Sequence, residues 1–363
     1  MITPWEVSEE LDYKKTMENF GIKTIKNIIN NIETPHKFFK RGIIFGHRDF
    51  DKIIKCIMEN KEFSVVSGMM PSGKMHFGHK MVIDQLLYYQ NIGGSIYIPI
   101  ADLEAYWARN MDFETTKNLA IEEYITNYIA LGLNPNKINI YLQSKNETVK
   151  DLAMKLSKKV NFSEMKGIYG FGGETNIGHI FAPIVQVGDI LYPQIDKNKK
   201  MLTVVPVGID QDPHIRLTRD IANRATKSKE FNFIPPSSTY HRFITGLTGG
   251  KMSSSKPETA IFLSDIPSKS LRKKIMSCKT GGRETLEEQK KLGGIPENCA
   301  VYELFVYHLI DDDNELKEIY NSCTNGELTC GSCKKNCYEK LTAFLNDFKE
   351  KREVAKEIAK DIL

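Results

Sequence analysis

The residues best placed to do chemistry are two histidines, His76 and His79, on either side of Gly78 in Met75-His76-Phe77-Gly78-His79. They follow the turn Ser67-Gly68-Met69-Met70-Pro71-Ser72-Gly73-Lys74, and an apolar run, Phe63 to Val66, leads into that turn. From His76 to Tyr89 the apolar residues recur at helical spacing, so the histidines fall at the start of a helix. There the unpaired backbone N–H groups and the helix dipole favour an anion, Gly78 lets a nucleotide approach the backbone, and both imidazoles can donate hydrogen bonds to a phosphate. Such donors suit charge that develops on an α-phosphate during nucleotidyl transfer. Gly68 to Lys74 also has the spacing of a phosphate-cradling loop, but Met75 stands where that motif needs a hydroxyl to hold magnesium.

A second phosphate-handling candidate lies far downstream, in Gly249-Gly250-Lys251-Met252-Ser253-Ser254-Ser255-Lys256. A lysine on a glycine-flanked loop is suited to neutralise a departing pyrophosphate, and the serines can add neutral donors around it. A third cluster is made of thiols. Of seven cysteines, Cys323, Cys330, Cys333 and Cys337 crowd into one stretch, with Cys299 upstream. In a reducing compartment four neighbouring thiolates can hold a Zn2+ ion or an iron–sulfur cluster. A zinc site from the last four, with Cys337 as a ligand, is one possibility.

Elements of alternating type must position these groups. Strands are expected at Phe63–Val66, Ser95–Ile100, Lys137–Leu142 and Leu202–Val207, and helices at His76–Tyr89, Glu114–Leu131 and Asp212–Ala225. Strand alternating with helix implies an α/β fold, a parallel sheet with helices on both faces. The expected division is an N-terminal appendage over residues 1–60, an α/β domain with a helical insertion over 61–265, and a helical domain carrying the cysteines over 266–363. The aromatic turn Phe38-Phe39-Lys40-Arg41-Gly42 in the appendage is expected to cover the nucleotide site.

Composition bounds the setting. A net charge of +4, from 50 basic and 46 acidic residues, does not by itself argue for nucleic-acid binding. Local basic clusters, Lys269 to Lys291 and Lys334 to Lys340, are more telling. No apolar run approaches the roughly 20 residues that cross a membrane, and Met1 to Glu6 lacks the regions of a signal peptide. A cytoplasmic protein that engages neither membrane nor DNA is expected.

His76-Phe77-Gly78-His79 and Lys251-Met252-Ser253-Ser254-Ser255 resemble the paired H-x-G-H and K-M-S-x-S signatures of class I aminoacyl-tRNA synthetases. Pro4-Trp5-Glu6-Val7, Phe39 to Asp49, Lys166-Gly167-Ile168-Tyr169-Gly170-Phe171 and Ile209-Asp210-Gln211-Asp212-Pro213 resemble the tryptophanyl members of archaeal and eukaryotic type. That resemblance implies a Rossmann-type catalytic domain, a C-terminal α-helical anticodon-binding domain and a homodimer. It also implies a two-step reaction in which ATP with Mg2+ and L-tryptophan give tryptophanyl-adenylate, which then esterifies tRNA(Trp). At the matching positions His76 and His79 would contact the ATP phosphates and Lys251 would assist pyrophosphate departure. Gly78, Asp210, Met252, Ser253 and Ser254 would line the ATP site, while Glu104 and Gln211 would orient the amino acid's ammonium and carboxylate.

Eukaryotic members resemble one another in a Tyr and a Gln that bind the indole N–H, where this chain has Val66 and Pro99. The stretch Pro183 to Leu191 is instead similar to bacterial tryptophanyl and archaeal tyrosyl enzymes, which implies that Asp189 accepts the indole N–H with Gln186 beside it. The plainer alternative is Asp189 capping a helix after a turn at Gly188. By similarity to a subset of the family, Cys299, Cys323, Cys330 and Cys333 would hold a 4Fe-4S cluster. Competing functions are a tyrosine–tRNA ligase of the same fold, against which the small Val66 speaks, and a nucleotidylyltransferase that does not use tRNA.

Overall fold

A computed structural model describes residues 12–363, so the Pro4–Val7 stretch lies outside the described residues. Packing divides the chain into two units. The first comprises residues up to 72, 84–242 and 358–363, and the second 73–83 and 243–357. This is a different cut from the three segments expected along the sequence, because the histidine loop groups with the distant lysine loop.

The first unit is built on a seven-stranded sheet in the order β1-β2-β7-β6-β3-β4-β5. Its strands are β1 Lys23–Thr24, β2 Ile44–Arg48, β3 Ser64–Val66, β4 Ser95–Ile100, β5 Ile138–Leu142, β6 Thr203–Gly208 and β7 Ser237–His241. The run from β7 to β5 is parallel throughout, whereas β2 pairs antiparallel with β7 and β1 antiparallel with β2. The apolar runs expected to be strands are β3 to β6, and they are largely buried because helices cover parallel sheets on both faces.

Three strands were not expected. β7 reads Ser-Ser-Thr-Tyr-His, polar by composition yet wholly buried, with Ser237 Oγ donating to the Asp49 carbonyl at 2.9 Å. β1 and β2 come from the N-terminal segment, which therefore extends the sheet. In its turn, Phe38 and Phe39 are buried, and Phe39 stacks on Phe50 with ring centroids 5.8 Å apart.

Five helices of this unit matter for function: α1 Phe77–Asn91, α2 Asp102–Arg109, α3 Glu147–Ser157, α4 Ile177–Asp196 and α5 Asp212–Lys227. Residues 77–83 of α1 count with the second unit. The expected insertion is α3 and α4, between β5 and β6. Val149, Leu152, Ala153 and Leu156 of α3 share a buried cluster with Val185, Val187 and Leu191 of α4. Gly188 lets the two helices approach closely, since a Cβ there would stand 3.0 Å from the Val149 carbonyl oxygen. Asn176 caps α4 by accepting from the His179 N–H at 2.8 Å, and the helix runs unbroken to Asp196. Asp189 is therefore inside the helix, and the alternative that it caps one after a turn at Gly188 is ruled out.

The second unit is mostly helical past Asp265, with α6 Lys269–Met276, α7 Asp313–Thr324 and α8 Cys330–Lys360. Among the described residues no helix is long and apolar enough to cross a membrane.

Candidate active site

In the second unit, the two motifs found in sequence meet. His76 forms an antiparallel bridge with Phe262, Phe77 N–H donates to the Ile261 carbonyl at 3.0 Å, and Leu263 N–H donates to the Met75 carbonyl at 2.9 Å. The lysine loop docks on the same segment through Ser254, whose Oγ donates to the Lys74 carbonyl at 3.1 Å. Thr245 bridges to Lys251, and the Lys251 ammonium sits 4.1 Å from the Phe243 ring centroid. Met252 is buried, while Ser253 and Ser254 are half-buried.

The two imidazole rings lie 4.1 Å apart. His79 Nδ1 accepts from the His76 backbone N–H and His76 Nδ1 accepts from the Gly78 N–H, each at 3.0 Å. An acceptor Nδ1 in a neutral imidazole leaves the proton on Nε2, so both rings are neutral donors through Nε2. Burial lowers the pKa of His76 to about 2, with help from His79 and Lys251, and burial followed by Lys251 lowers that of His79 to about 4. The lysine's charge thus reaches both rings. Gly78 has a reason not visible in the sequence: a Cβ there would lie 2.7 Å from His76 Cε1, so only glycine lets that imidazole fold back over the turn.

In the first unit, the remaining expected residues gather where parallel strands end. Asp210 is buried and Gln211 half-buried in the turn Ile209–Gln211 between β6 and α5. The next acid, Asp212, is structural. It accepts from Arg48 Nε at 2.9 Å and from Arg216 Nε at 3.0 Å, tying β2 to α5. Glu104 lies half-buried on α2, and its charge is felt by Tyr169 and Asp189. Gln186 is half-buried three residues before Asp189 on α4.

Asp189 is 1% exposed. Tyr141 O–H donates to its Oδ1 at 2.9 Å and Gln143 Nε2 to its Oδ2 at 2.6 Å. Burial pushes its pKa up to about 7 against the pull of those two donors, with Asp102 and Glu104 adding to the rise. Val66, the small residue read against a tyrosine ligase, is packed with Tyr97, Ile190, Val205 and Ile215. Sequence reasoning missed Tyr141, Gln143 and the pair Tyr169–His214, whose Oη and Nδ1 are 2.8 Å apart. A polar residue just past a parallel strand, as Gln143 is past β5, was the available signal.

Cys299, Cys323, Cys330 and Cys333 line one pocket with Gly281, Gly282 and Tyr302. Small residues give the sulfurs their space: a Cβ on Gly282 would meet Cys330 Sγ at 2.5 Å, and one on Gly294 would meet Cys323 Sγ at 2.7 Å. Cys337 is fully buried and does not line the pocket. Among the described residues no three His, Cys, Asp or Glu side chains are arranged to hold a metal ion.

A parallel sheet in one unit, and in the other two neutral imidazoles within reach of a lysine's charge, are the parts of a nucleotidyl-transferring α/β enzyme. Residues 58–346 match the family described as tRNA synthetases class I (W and Y), and the chain belongs to that family as an aminoacyl-tRNA synthetase. It is 70% identical to the tryptophan–tRNA ligase of Methanocaldococcus jannaschii, an alignment covering 100% of this chain and 98% of the relative. The ligase of the same name from Methanopyrus kandleri is 50% identical, with 100% and 96% covered. The crystal structure of tryptophanyl-tRNA synthetase from Aeropyrum pernix superposes with a TM-score of 0.92 at 43% identity, covering 99% of this chain and 98% of that one.

Proposed function

We infer that this chain is a tryptophan–tRNA ligase. ATP and L-tryptophan give tryptophanyl-adenylate and diphosphate, and the adenylate then esterifies the terminal adenosine of tRNA(Trp), releasing AMP. The observation that carries the reading is the meeting of His76, His79 and Lys251 within one unit, in a family whose members charge tRNA. The substrate's carboxylate is the nucleophile, so the protein supplies position and charge stabilisation. His76 and His79 offer neutral Nε2–H donors to phosphate oxygens. Lys251 supplies the fixed positive charge as pyrophosphate leaves, with Met252, Ser253 and Ser254 around it and Gly78 beneath the adenosine. Glu104 and Gln211 hold the ammonium and carboxylate, Asp210 faces the ribose, and Asp189 and Gln186 belong to the indole pocket. Mg2+ accompanies ATP and offsets triphosphate charge.

The same reading includes a homodimer, a cytoplasmic address, anticodon reading by the helical C-terminal region and a 4Fe-4S cluster on Cys299, Cys323, Cys330 and Cys333. What supports a bound group is that the four thiols share one pocket; Zn2+ held by Cys323, Cys330, Cys333 and Cys337 is the alternative. Its place, away from the histidines and lysine in sequence, assigns it to support of the helical region. Iron and zinc analysis of anaerobically purified protein tests it.

The test of the function is amino-acid-dependent exchange of pyrophosphate into ATP, run with tryptophan and tyrosine in parallel. Exchange with tryptophan alone is expected. Exchange with tyrosine alone would reassign the substrate, and exchange without any amino acid would reassign the class.

A further inference from the structure

The Asp189 carboxylate is already engaged at both oxygens by the protein, through Tyr141 and Gln143. That shifts attention to Gln143, which is 4% exposed. A glutamine amide is two-sided: once its nitrogen faces a carboxylate, its oxygen points elsewhere. That oxygen, Gln143 Oε1, is buried and has no hydrogen-bond partner among the described residues. Rotating the amide would not help, because oxygen would then face the Asp189 carboxylate. A buried acceptor left without a donor is costly, so this one calls for a donor supplied from outside the chain.

Its surroundings indicate which donor. Gln143 follows β5 at the carboxyl end of the parallel sheet, the edge at which α/β proteins take their ligands. The next residue, Ser144, donates its N–H to Asp102 Oδ1 at 3.0 Å, and Asp102 opens the helix that carries Glu104. Tyr141, which shares the Asp189 carboxylate with Gln143, packs edge-on against Tyr192 with ring centroids 5.4 Å apart. A buried acceptor beside aromatic rings fits a flat ring bearing one N–H.

We propose that Gln143 Oε1 accepts the indole N–H of tryptophan, and that Asp189 and Tyr141 are positioning residues that hold the amide in the one orientation able to do so. This rests on the tryptophan-ligase reading and reassigns within it the role expected of Asp189. The carboxylate fixes the amide nitrogen, Tyr141 fixes the carboxylate, and the amide oxygen meets the substrate.

The test compares L-tryptophan with its analogue in which sulfur replaces the ring nitrogen, a molecule of the same shape without an N–H. Equilibrium binding and pyrophosphate exchange are measured for the parent, Gln143→Met and Asp189→Ala. The parent is expected to prefer tryptophan by roughly 10- to 100-fold. Gln143→Met should lose that preference while binding the analogue as the parent does and keeping its KM for ATP. Unchanged analogue binding also shows that the variant is folded, and Gln143→Leu is the second variant if methionine disturbs the pocket. Asp189→Ala should weaken the preference, since the amide is then free to rotate. If Gln143→Met keeps the parent's preference and Asp189→Ala abolishes it, the carboxylate is the acceptor and the proposal is overturned. A parent that activates tryptophan without preferring it to the analogue also overturns the proposal and leaves the ligase standing. No tryptophan-dependent exchange at all would remove the ligase reading itself.

Discussion

His76 and His79 are useful to a phosphate because they are uncharged. With pKa values held near 2 and 4 by burial and by Lys251, both carry their proton on Nε2 at any working pH, leaving the lysine as the fixed charge. In kcat/KM for MgATP, which reports groups of the free enzyme, no acid limb from these histidines is therefore expected between about pH 8 and pH 5; a limb centred near 6.5 in that profile would reveal a charged histidine instead. Lys251→Ala should lower kcat for exchange by roughly 100- to 1,000-fold, because it removes a group acting on charge present only as pyrophosphate leaves. A rise in the KM for ATP with kcat unchanged would show that Lys251 serves ground-state binding. Asp189→Ala should raise the KM for tryptophan and spare the KM for ATP, whichever atom of the pocket meets the indole. The pairing of imidazoles with a distant lysine was legible in the sequence because both sit in spacings set by phosphate chemistry. Tyr141 and Gln143 were not, because each is an ordinary residue made special by a carboxylate 48 and 46 positions away.

At the scale of the element, the close packing of strand ends explains a glycine whose spacing alone would suggest a phosphate loop. Gly68 has the spacing of a phosphate loop, yet a Cβ there would lie 2.5 Å from the Pro99 carbonyl oxygen and 2.7 Å from Pro99 Cγ. It lies just past β3, where Met69 N–H donates to that same Pro99 carbonyl at 3.3 Å. Gly68→Ala should thus destabilise by about 1–3 kcal/mol through overpacking, with loss of activity tracking loss of fold. A stable Gly68→Ala protein with a raised KM for ATP would restore a direct nucleotide role. The contrast between strands has the same physical origin. β3 to β6 are legible because a strand covered on both faces must be apolar along its length. β7 is equally buried but meets that demand with Ser237, Ser238 and Thr239, small side chains that fit near Asp49, and nothing in their composition announces a strand. β1 and β2 escaped notice because they pair antiparallel at the sheet's edge, outside the strand–helix alternation of the parallel run, and β1 has only two residues, Lys23 and Thr24.

For the molecule as a whole, a net charge of +4 over 363 residues makes global self-repulsion small, so the pH dependence of stability rests on individual buried groups. His214, in the first turn of α5, is 5% exposed and has Tyr169 Oη 2.8 Å from its Nδ1. Burial lowers its pKa to about 3 from an ordinary 6.5. The unfolded chain therefore takes up a proton at this site as pH falls below 6.5, while the folded chain does so only near 3. Between those values the unfolded state binds more protons, so stability rises with pH and is lost on acidification. Asp189, with a folded pKa raised to about 7, works in the opposite sense, so the net slope of the parent does not isolate either group. A comparison with His214→Gln does. Between pH 7.5 and 5.5 the parent should lose about 1.4 kcal/mol more than the variant, the free energy of protonating one histidine of pKa 6.5 in the unfolded state alone. Denaturant unfolding followed by tryptophan fluorescence measures this, since Trp107 reports from the same unit as His214. Equal losses in the two proteins would mean that His214 is already charged in the folded chain, and that the aromatic pocket around Tyr169 carries a positive charge the buried imidazole was argued to exclude.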